Sequence, residues 1–481
     1  MTFEARLADC LPPGALLTSD EAKRPYECDA LSAYHAMPRV VVVPDTRAEV
    51  EAVVKLCAEY QVPLVTRGAG TGLSGGALPL VDGCLLSLAR FNRILDIDTA
   101  NRTATVEPGV RNLAISEAVA PYGLYYAPDP SSQIACTIGG NVAENSGGVH
   151  CLKYGLTVHN VMEVEILTIE GEWMTLGGRG LDAAGFDLLA LIHGSEGLLG
   201  IIMKVTVKLL PQPELARVVL AAFDSVEAAG SAVAAIIAAG LVPAGLEMMD
   251  KLAIEVAEAY CHAGYPLAAA AILLCEVDGN TVDVAAQIEA VSTVLKRAGA
   301  QDLRVSRDDA ERMRFWLGRK SAFPAIGRIA PDYFCMDGTI PRKCLAEVLE
   351  RISALSREFN LPVANVFHAG DGNLHPLIAF DANIDEQLQR AAQLGSRILE
   401  ICVAVGGTVT GEHGVGIEKL NEMCLQFSTT ELESFYAIKR AFDPKGLLNP
   451  GKAVPSLHRC AEFGRMHVHR GRVAHAELER F

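Results

Sequence analysis

Two short motifs late in the chain carry four side chains able to bind a metal or move a proton. His368-Ala-Gly-Asp-Gly-Asn-Leu-His375 brackets a glycine turn with two imidazoles, and Gly411-Glu412-His413-Gly414 follows after one helix-length stretch. His368, His375 and Glu412 have the composition of a catalytic metal site, three protein ligands with room left for substrate. Ligand type alone admits Zn, Mn or Fe(II). His413, beside a ligating carboxylate, is a natural general base because imidazole titrates near neutral pH. A histidine taken singly is more often a hydrogen-bonded turn residue, and His35, His150, His159 and His193 read that way.

A second chemical stretch lies far upstream. Residues 63–77, Pro-Leu-Val-Thr-Arg-Gly-Ala-Gly-Thr-Gly-Leu-Ser-Gly-Gly-Ala, interleave Gly68, Gly70, Gly72, Gly75 and Gly76 with Arg67 and the hydroxyls of Thr66, Thr71 and Ser74. Glycine lets the backbone take positive φ and lets a ligand approach the main chain. Successive N–H groups in such a turn make an anion-binding concavity. An apolar β-type segment, 62–65, runs into it, so the stretch reads as a pyrophosphate cradle at a strand end. It matches neither the GxxxxGK[ST] loop nor a GxGxxG opening a helix. A further glycine- and hydroxyl-rich tract spans 127–155, longer than a linker needs to be.

The elements that must hold these motifs follow from periodicity. Residues 1–36 read as a helical lead-in, and 40–43, four valines, as a buried strand. Asp45-Thr46-Arg47-Ala48-Glu49 then supplies a helix start, and 62–65 completes a β-α-β unit. Strands are expected at 85–88, 94–97, 103–106, 161–169 and 201–210. Pro211-Gln-Pro213 marks a boundary. Beyond it strands and helices alternate (strands 218–223, 245–249, 268–277; helices 226–239, 252–261, 282–298), the pattern of helices covering one face of an antiparallel sheet. A strand at 333–340, a helix at 342–359 and a strand at 363–367 lead to the histidines, and a helix at about 384–405 separates them from Glu412.

The chain has 481 residues, half of them hydrophobic, which implies two or three packed domains. With 42 basic against 58 acidic side chains, the net charge of −16 argues against a nucleic-acid partner. Thirteen cysteines lie scattered without a CxxC pair, which reads as reduced thiols in a cytosolic compartment and leaves no obvious iron–sulfur ligation. The N-terminus lacks an apolar signal core. The longest apolar run, 231–246, is broken by Pro243 and too short to span a bilayer, so any membrane association is expected through partners.

The cradle 66–77, Pro128-Asp-Pro-Ser-Ser132, Gly139-Gly-Asn141, Asn145-Ser-Gly-Gly148, Gly194-Ser-Glu-Gly197, HAGDGNLH at 368–375, GEHGVG at 411–416 and FDPKGLLNPGK at 442–452 together resemble the FAD-linked 2-hydroxy-acid dehydrogenases of the vanillyl-alcohol-oxidase type. The resemblance runs from about residue 37 to the end. It implies an α+β fold: an FAD-binding domain of two α+β subdomains over 1–212, then a cap domain over 213–420 with an antiparallel sheet covered by helices. Residues 421–481 would return to the FAD domain, with a tail able to dock partners.

The same resemblance implies site roles. Arg67, Gly68, Ala69, Gly70, Thr71, Gly72, Ser74 and Gly75 would wrap the FAD pyrophosphate. Pro130, Thr137, Gly139, Gly140, Ser146, Gly147, Glu196 and Gly197 would line the rest of the cofactor. Relatives with covalent flavin use a histidine near the cradle, and none lies between 36 and 149 here, so FAD is expected to be noncovalent. His368, His375 and Glu412 match the family's ligands for a divalent metal and His413 its base. Arg319 stands where relatives place an arginine that clamps the substrate carboxylate. Leu377 and Cys335 replace polar groups of relatives that take larger diacids, which favours glycolate or lactate over 2-hydroxyglutarate.

The activity implied is oxidation of a small 2-hydroxy acid to the 2-oxo acid with hydride passing to FAD; D-lactate or D-2-hydroxyglutarate oxidation by the chain alone is the nearest variant. The tail at 458–481 is similar to that of flavoprotein subunits in multi-subunit members. That implies a separate iron–sulfur subunit and a second FAD-domain-like subunit, at the cytoplasmic side of the membrane. Two alternatives of other classes are a metal-dependent hydrolase, in which the glycine cradle has no job, and a non-catalytic FAD relay, in which the metal-and-base set has none.

Overall fold

A computed structural model describes residues 1–180 and 184–455. The tail assigned to partner docking therefore lies outside the described residues.

Three sheets organise the chain. In the first, Val40–Val42, Cys84–Ser87 and Leu64–Arg67 run parallel in that order, with Leu16–Leu17 antiparallel at the edge. The helix Arg47–Tyr60 crosses over from the first of these strands to Leu64–Arg67; Thr46 Oγ1 accepts the Glu49 amide at its start. Its Val50, Val53, Val54 and Cys57 recur at helical spacing and pack on Val40, Val42, Leu64 and Leu86. Parallel strands buried on both faces need this apolar run. The connection out of Leu64–Arg67 is the glycine-rich loop itself, which leaves the carboxyl end of a parallel strand, where open α/β sheets place ligands.

The second sheet is antiparallel, in the order Ile94–Asp98, Thr103–Val106, Ile201–Lys208, Val161–Leu167, Trp173–Gly177. Its apolar face packs on Ile115 and Val119 of one helix and on Ile138 and Val142 of another, and on Ile438 and Phe442 near the C-terminal end.

The third sheet has seven antiparallel strands, in the order Asp302–Val305, Leu215–Phe223, Ala271–Gly279, Gly245–Asp250, Val363–His368, Pro376–Phe380, Asp332–Cys335. The expectation of helices on one face is corrected here: they cover both. Val219, Ala221 and Phe223 face Val226–Ala238 and Thr281–Arg297. Val218, Leu220 and Ala222 face Lys251–Cys261 and Asp309–Ala325. Successive strand residues point to opposite sides, and here both sets are apolar, so each side needs a cover. The strand expected over 333–340 ends at Cys335. The chain then leaves the sheet, which places Asp337 under the loop at 410–413.

Cross-bonds tie the third sheet to the tract at 127–155. His150 bridges Asp129, at 2.9 Å from Nδ1, and Glu276, at 3.1 Å from Nε2; Arg312 and Trp316 also bond Glu276. Lys153 and Tyr154 both reach Asp278.

Candidate active site

One cavity of about 510 Å³ receives residues from every motif singled out above except the stretch 442–452. Its early wall is Gly68, Ala69, Gly70, Thr71 and Gly72, continued by Pro130, Thr137, Gly139, Gly140, Ser146, Gly147, Glu196 and Gly197. Its late wall is His375, Glu412 and His413, with Lys320, Phe323 and Pro324 of the helix Asp309–Ala325 beside them. The walls touch, since a Cβ on Gly147 would collide with Glu412 Oε2; within the early wall, one on Gly68 would collide with Thr137 Oγ1.

Three residues expected at the cofactor stand behind the early wall. Arg67 is buried and donates from Nη1 to the carbonyls of Tyr26, at 3.2 Å, and Cys28, at 2.6 Å. Gly70, at φ +70°, packs so closely on that guanidinium that a side chain there would strike it. Ser74 donates to the His413 carbonyl at 2.9 Å, and its own carbonyl accepts the amides of Ile417 and Glu418. Gly75, at φ +79°, faces Ile417. Ser74 and Gly75 join the glycine loop to the loop that carries Glu412 and His413, while Arg67 ties it to the segment at 26–28. Glu196, from the turn at 194–197, holds the Glu412 loop as well, accepting the amides of Val415 at 2.6 Å and Gly416 at 2.7 Å. From the C-terminal segment, Asn449 and Lys452 both donate to the Gly76 carbonyl.

In the late wall, the Nε2 atoms of His368 and His375 converge on one oxygen, Glu412 Oε1, at 3.2 and 2.9 Å. Their outer nitrogens are held as well. His368 Nδ1 lies 2.8 Å from Glu247 Oε1, and His375 Nδ1 faces the Met336 carbonyl at 3.4 Å. Outer partners of this kind orient an imidazole toward a metal and raise its basicity. Burial pushes the His368 ring down, but Glu247 and Glu412 outweigh it and raise its pKa well above the usual range. Burial likewise raises the Glu412 carboxyl, and the two histidines overcome it and hold it well below. The donor set fits a divalent cation.

Asp337 also stands near this set: one of its oxygens, an oxygen of Glu412 and ring nitrogens of His375 and His413 lie within 4.8 Å of one another. Its Oδ2 accepts the Thr410 hydroxyl at 2.5 Å and the amides of Gly411, Glu412 and His413 at 2.9, 3.1 and 2.9 Å, while Oδ1 has the Glu412 amide at 3.3 Å. Asp337 is the rack on which the GEHG loop is hung.

His413 stacks on His375, with ring centroids 4.9 Å apart and planes 8° apart, and its Nδ1 has no hydrogen-bond partner among the described residues. Burial pushes its pKa down to about 4 against the pull of Asp337, so the ring is neutral near pH 7 and can accept a proton.

Arg319 is 1% exposed and does not line the cavity. Its Nε donates to Glu247 Oε2 at 2.8 Å, and its Nη2 is 2.7 Å from the same oxygen, off the hydrogen-bond direction. Glu247 therefore lies between Arg319 and His368, and burial of its carboxyl is outweighed by those two partners, which keep it ionised. Sequence reasoning missed Glu247, Asp337, Lys320 and Phe323. Glu247 lies in an apolar strand and Asp337 just past the end of another, with no motif around either, and Lys320 was overshadowed by the arginine before it. Leu377 packs in the core of the third sheet, while Cys335 has its sulfur within 4.8 Å of the ring nitrogens of His375 and His413.

A glycine-walled cavity facing an imidazole–carboxylate cluster defines a class, and comparison with known proteins gives the same one. The family described as FAD linked oxidases, C-terminal domain, matches residues 212–453, and the family described as FAD binding domain matches 38–177. The chain belongs to the FAD-linked oxidases and is an FAD-dependent oxidoreductase of the vanillyl-alcohol-oxidase fold. It is 62% identical to the glycolate oxidase subunit GlcD of Escherichia coli (strain K12), over 99% of this chain and 95% of that one. Identity to GlcD of Bacillus subtilis is 38%, over 90% and 93% of the two chains. A D-lactate dehydrogenase of Anaerostipes hadrus is 32% identical over 92% and 95%. Among solved structures, p-cresol methylhydroxylase with substrate bound superposes with a TM-score of 0.79 at 17% identity, covering 95% of this chain and 97% of that one, a likeness of fold.

Proposed function

We propose that this chain oxidises a small 2-hydroxy acid, glycolate or D-lactate, to the 2-oxo acid as the flavoprotein subunit of a glycolate oxidase complex. The observation that carries the reading is the meeting of the two walls in one cavity, set beside full-length similarity to glycolate oxidase subunits and a D-lactate dehydrogenase. FAD held noncovalently along the early wall would accept the hydride from C2. The residues fit it: glycines at 68, 70 and 72 open the wall, and side chains at 68 or 70 would be blocked by Thr137 or Arg67. His368, His375 and Glu412 would hold a divalent ion (Zn, Mn or Fe), whose charge would favour loss of the hydroxyl proton.

The chain's own residues do the rest. His413, neutral near pH 7, takes the hydroxyl proton. His375, stacked on it, and the Asp337 rack fix the plane of that ring. Glu247 holds His368, and Arg319 holds Glu247, so Arg319 acts here through the metal wall.

Electrons then leave through partners: an iron–sulfur subunit and a second FAD-domain-like subunit, since this sequence has no CxxC run. Among the described residues no helix is long and apolar enough to cross a membrane; we place the chain in the cytoplasm, meeting the inner membrane face through those subunits. The test is an anaerobic titration of the FAD-loaded protein against glycolate, D-lactate and 2-hydroxyglutarate, followed by flavin bleaching. Bleaching by none of them overturns the reading.

A further inference from the structure

Glu144 closes the helix Ile138–Glu144 and lines the cavity, and the chemistry described so far gives it no task. Its carboxyl group lies between the glycine loop and the loop that carries His413. A Cβ on Gly76 would come within 2.8 Å of Glu144 Oε1 and 3.4 Å of Glu196 Oε2; one on Gly414 would strike Glu144 Oε2 and stand 2.9 Å from Glu196 Oε1. The two carboxyl groups therefore share one small space, yet they are bonded differently. Glu196 accepts the amides of Val415 and Gly416, one on each oxygen. Glu144 Oε2 is buried with no hydrogen-bond partner among the described residues. The lysines that face the pair are engaged elsewhere: Lys452 donates to the carbonyls of Gly76 and Leu78, and Lys419 donates to the Gly414 carbonyl and pairs with Glu418. Asp29, the third acid of the group, accepts the amides of Leu31 and Ala77.

Two carboxylates pressed together in a water-poor space do not both ionise readily, and the one without donors keeps its proton. Glu144 is that one. Burial lifts its carboxyl well above the ordinary range, Glu196 and Asp29 add to the lift, and Lys419 and Lys452 offset part of it. Burial raises Glu196 too, but its two amides and the same lysines hold it back. We propose that Glu144 is a cofactor-binding residue that works as a neutral carboxylic acid: it donates a hydrogen bond to an oxygen of bound FAD, and the cofactor in turn holds the proton on it. A carboxylate at this place would repel the anionic diphosphate, whereas a carboxylic acid has an O–H to give. Where the empty cavity has lost this proton, one is taken from solvent as FAD enters, and no covalent bond of the cofactor changes. The inference rests on FAD binding, which membership of the family gives, and not on which hydroxy acid is oxidised.

The test reads FAD affinity and not turnover. The Kd of the full-length protein for FAD is measured by ultrafiltration at graded dilution, between about pH 6 and 8.5, for the wild type, Glu144→Gln and Glu144→Leu. Infrared difference spectra of the FAD-loaded wild type against Glu144→Gln near pH 7 show whether a carboxylic C=O band belongs to this side chain. The wild-type Kd should rise with pH by up to about tenfold per pH unit, the limit for one linked proton. Glu144→Gln keeps a neutral donor, so it should bind FAD at low pH as the wild type does, lose the pH dependence and lack the infrared band. Glu144→Leu, which has no donor, should bind FAD about tenfold to a hundredfold more weakly at low pH. Lys452, whose ammonium burial brings down to about 8, titrates in the same range. A pH dependence that survives in Glu144→Gln therefore belongs to that lysine and overturns the assignment. So does a Glu144→Leu protein that binds FAD as tightly as the wild type. Should the variants fail to fold, the wild type alone decides: a carboxylic band that persists to higher pH with FAD than without it supports the assignment, and its absence from the FAD-loaded protein overturns it.

Discussion

The early wall of the cavity and the late one offer a ligand different kinds of contact. The early wall is mostly bare backbone: five consecutive residues from Gly68 to Gly72, then Gly139, Gly140, Gly147 and Gly197. Its shape is kept from behind, by Arg67 gripping the carbonyls of Tyr26 and Cys28 and by Asn449 and Lys452 gripping that of Gly76. The late wall is side chains, each held through its far end: His368 by Glu247, His375 by the Met336 carbonyl, the Glu412 and His413 amides by Asp337. The first arrangement suits a large ligand met along its length by amides. The second suits a small reacting centre, where an error of an ångström in one ring is costly.

Variants that damage one wall and spare the other put this contrast at risk. The largest effect is expected from His413→Asn, which removes the base and leaves the early wall intact. Flavin reduction by glycolate in stopped flow should slow by about 10²–10⁴-fold at unchanged FAD content. Undiminished reduction would take His413 out of the role. Glu247→Gln removes the charge between Arg319 and His368. Metal affinity, read by elemental analysis against a chelator series, should fall by about 10–100-fold while flavin absorbance persists. Equal loss of both would mean that the walls are one cooperative unit.

Gly70→Val places a β-branched residue at φ +70° against the Arg67 guanidinium. At about 1–3 kcal/mol for such backbone strain, FAD occupancy after gel filtration should drop while bound metal stays constant. Retained FAD would show that the loop tolerates a side chain there.

The smallest effect concerns the seam between the halves. Asp129 and Glu276 raise the His150 pKa well above its usual value against the opposing push of burial. Glu276, which burial alone would raise, is brought down to about 2 by His150, Arg312 and Trp316. A raised histidine stabilises fully below its unfolded value, near 6.5, and loses that contribution as pH rises through the folded value. A depressed carboxylate stabilises above its unfolded value, near 4.5, and loses the contribution as pH falls toward about 2. The seam is therefore strongest between about pH 4.5 and 6.5. His150→Gln should lower Tm by a degree or two in that window and by less at pH 9; a pH-independent difference would make the contact a matter of packing alone.

The two walls also differ in how far they could be read from residues alone. Glycine spacing, the paired histidines and the GEHG motif are local, and they placed the cavity's lining well: most of the expected early-wall residues and all of His375, Glu412 and His413 face it. Most strand and helix positions followed from period, to within a few residues; the lead-in expected to be helical over 1–36 is so only at Phe3–Cys10 and Asp20–Lys23 and the short turn after it, with the strand Leu16–Leu17 between them. Reading stopped where a residue's role depends on what faces it. Arg67 and Ser74 sit in the glycine motif yet point away from the cavity, and Val218, Leu220 and Ala222 look like one half of an alternation whose other half is apolar too.

By itself the amino-acid order determined which chemistry was available: a flexible backbone stretch for a large anionic cofactor, and imidazoles and a carboxylate for a cation and a proton. Those properties belong to residue types and to spacings of a few positions, which the chain carries with it even when unfolded. Only the folded arrangement decided which of two neighbouring cations is free. Arg319 and Lys320 differ by one step along a helix, about 100° of rotation. That rotation turns one toward Glu247 in the third sheet and the other toward the cavity.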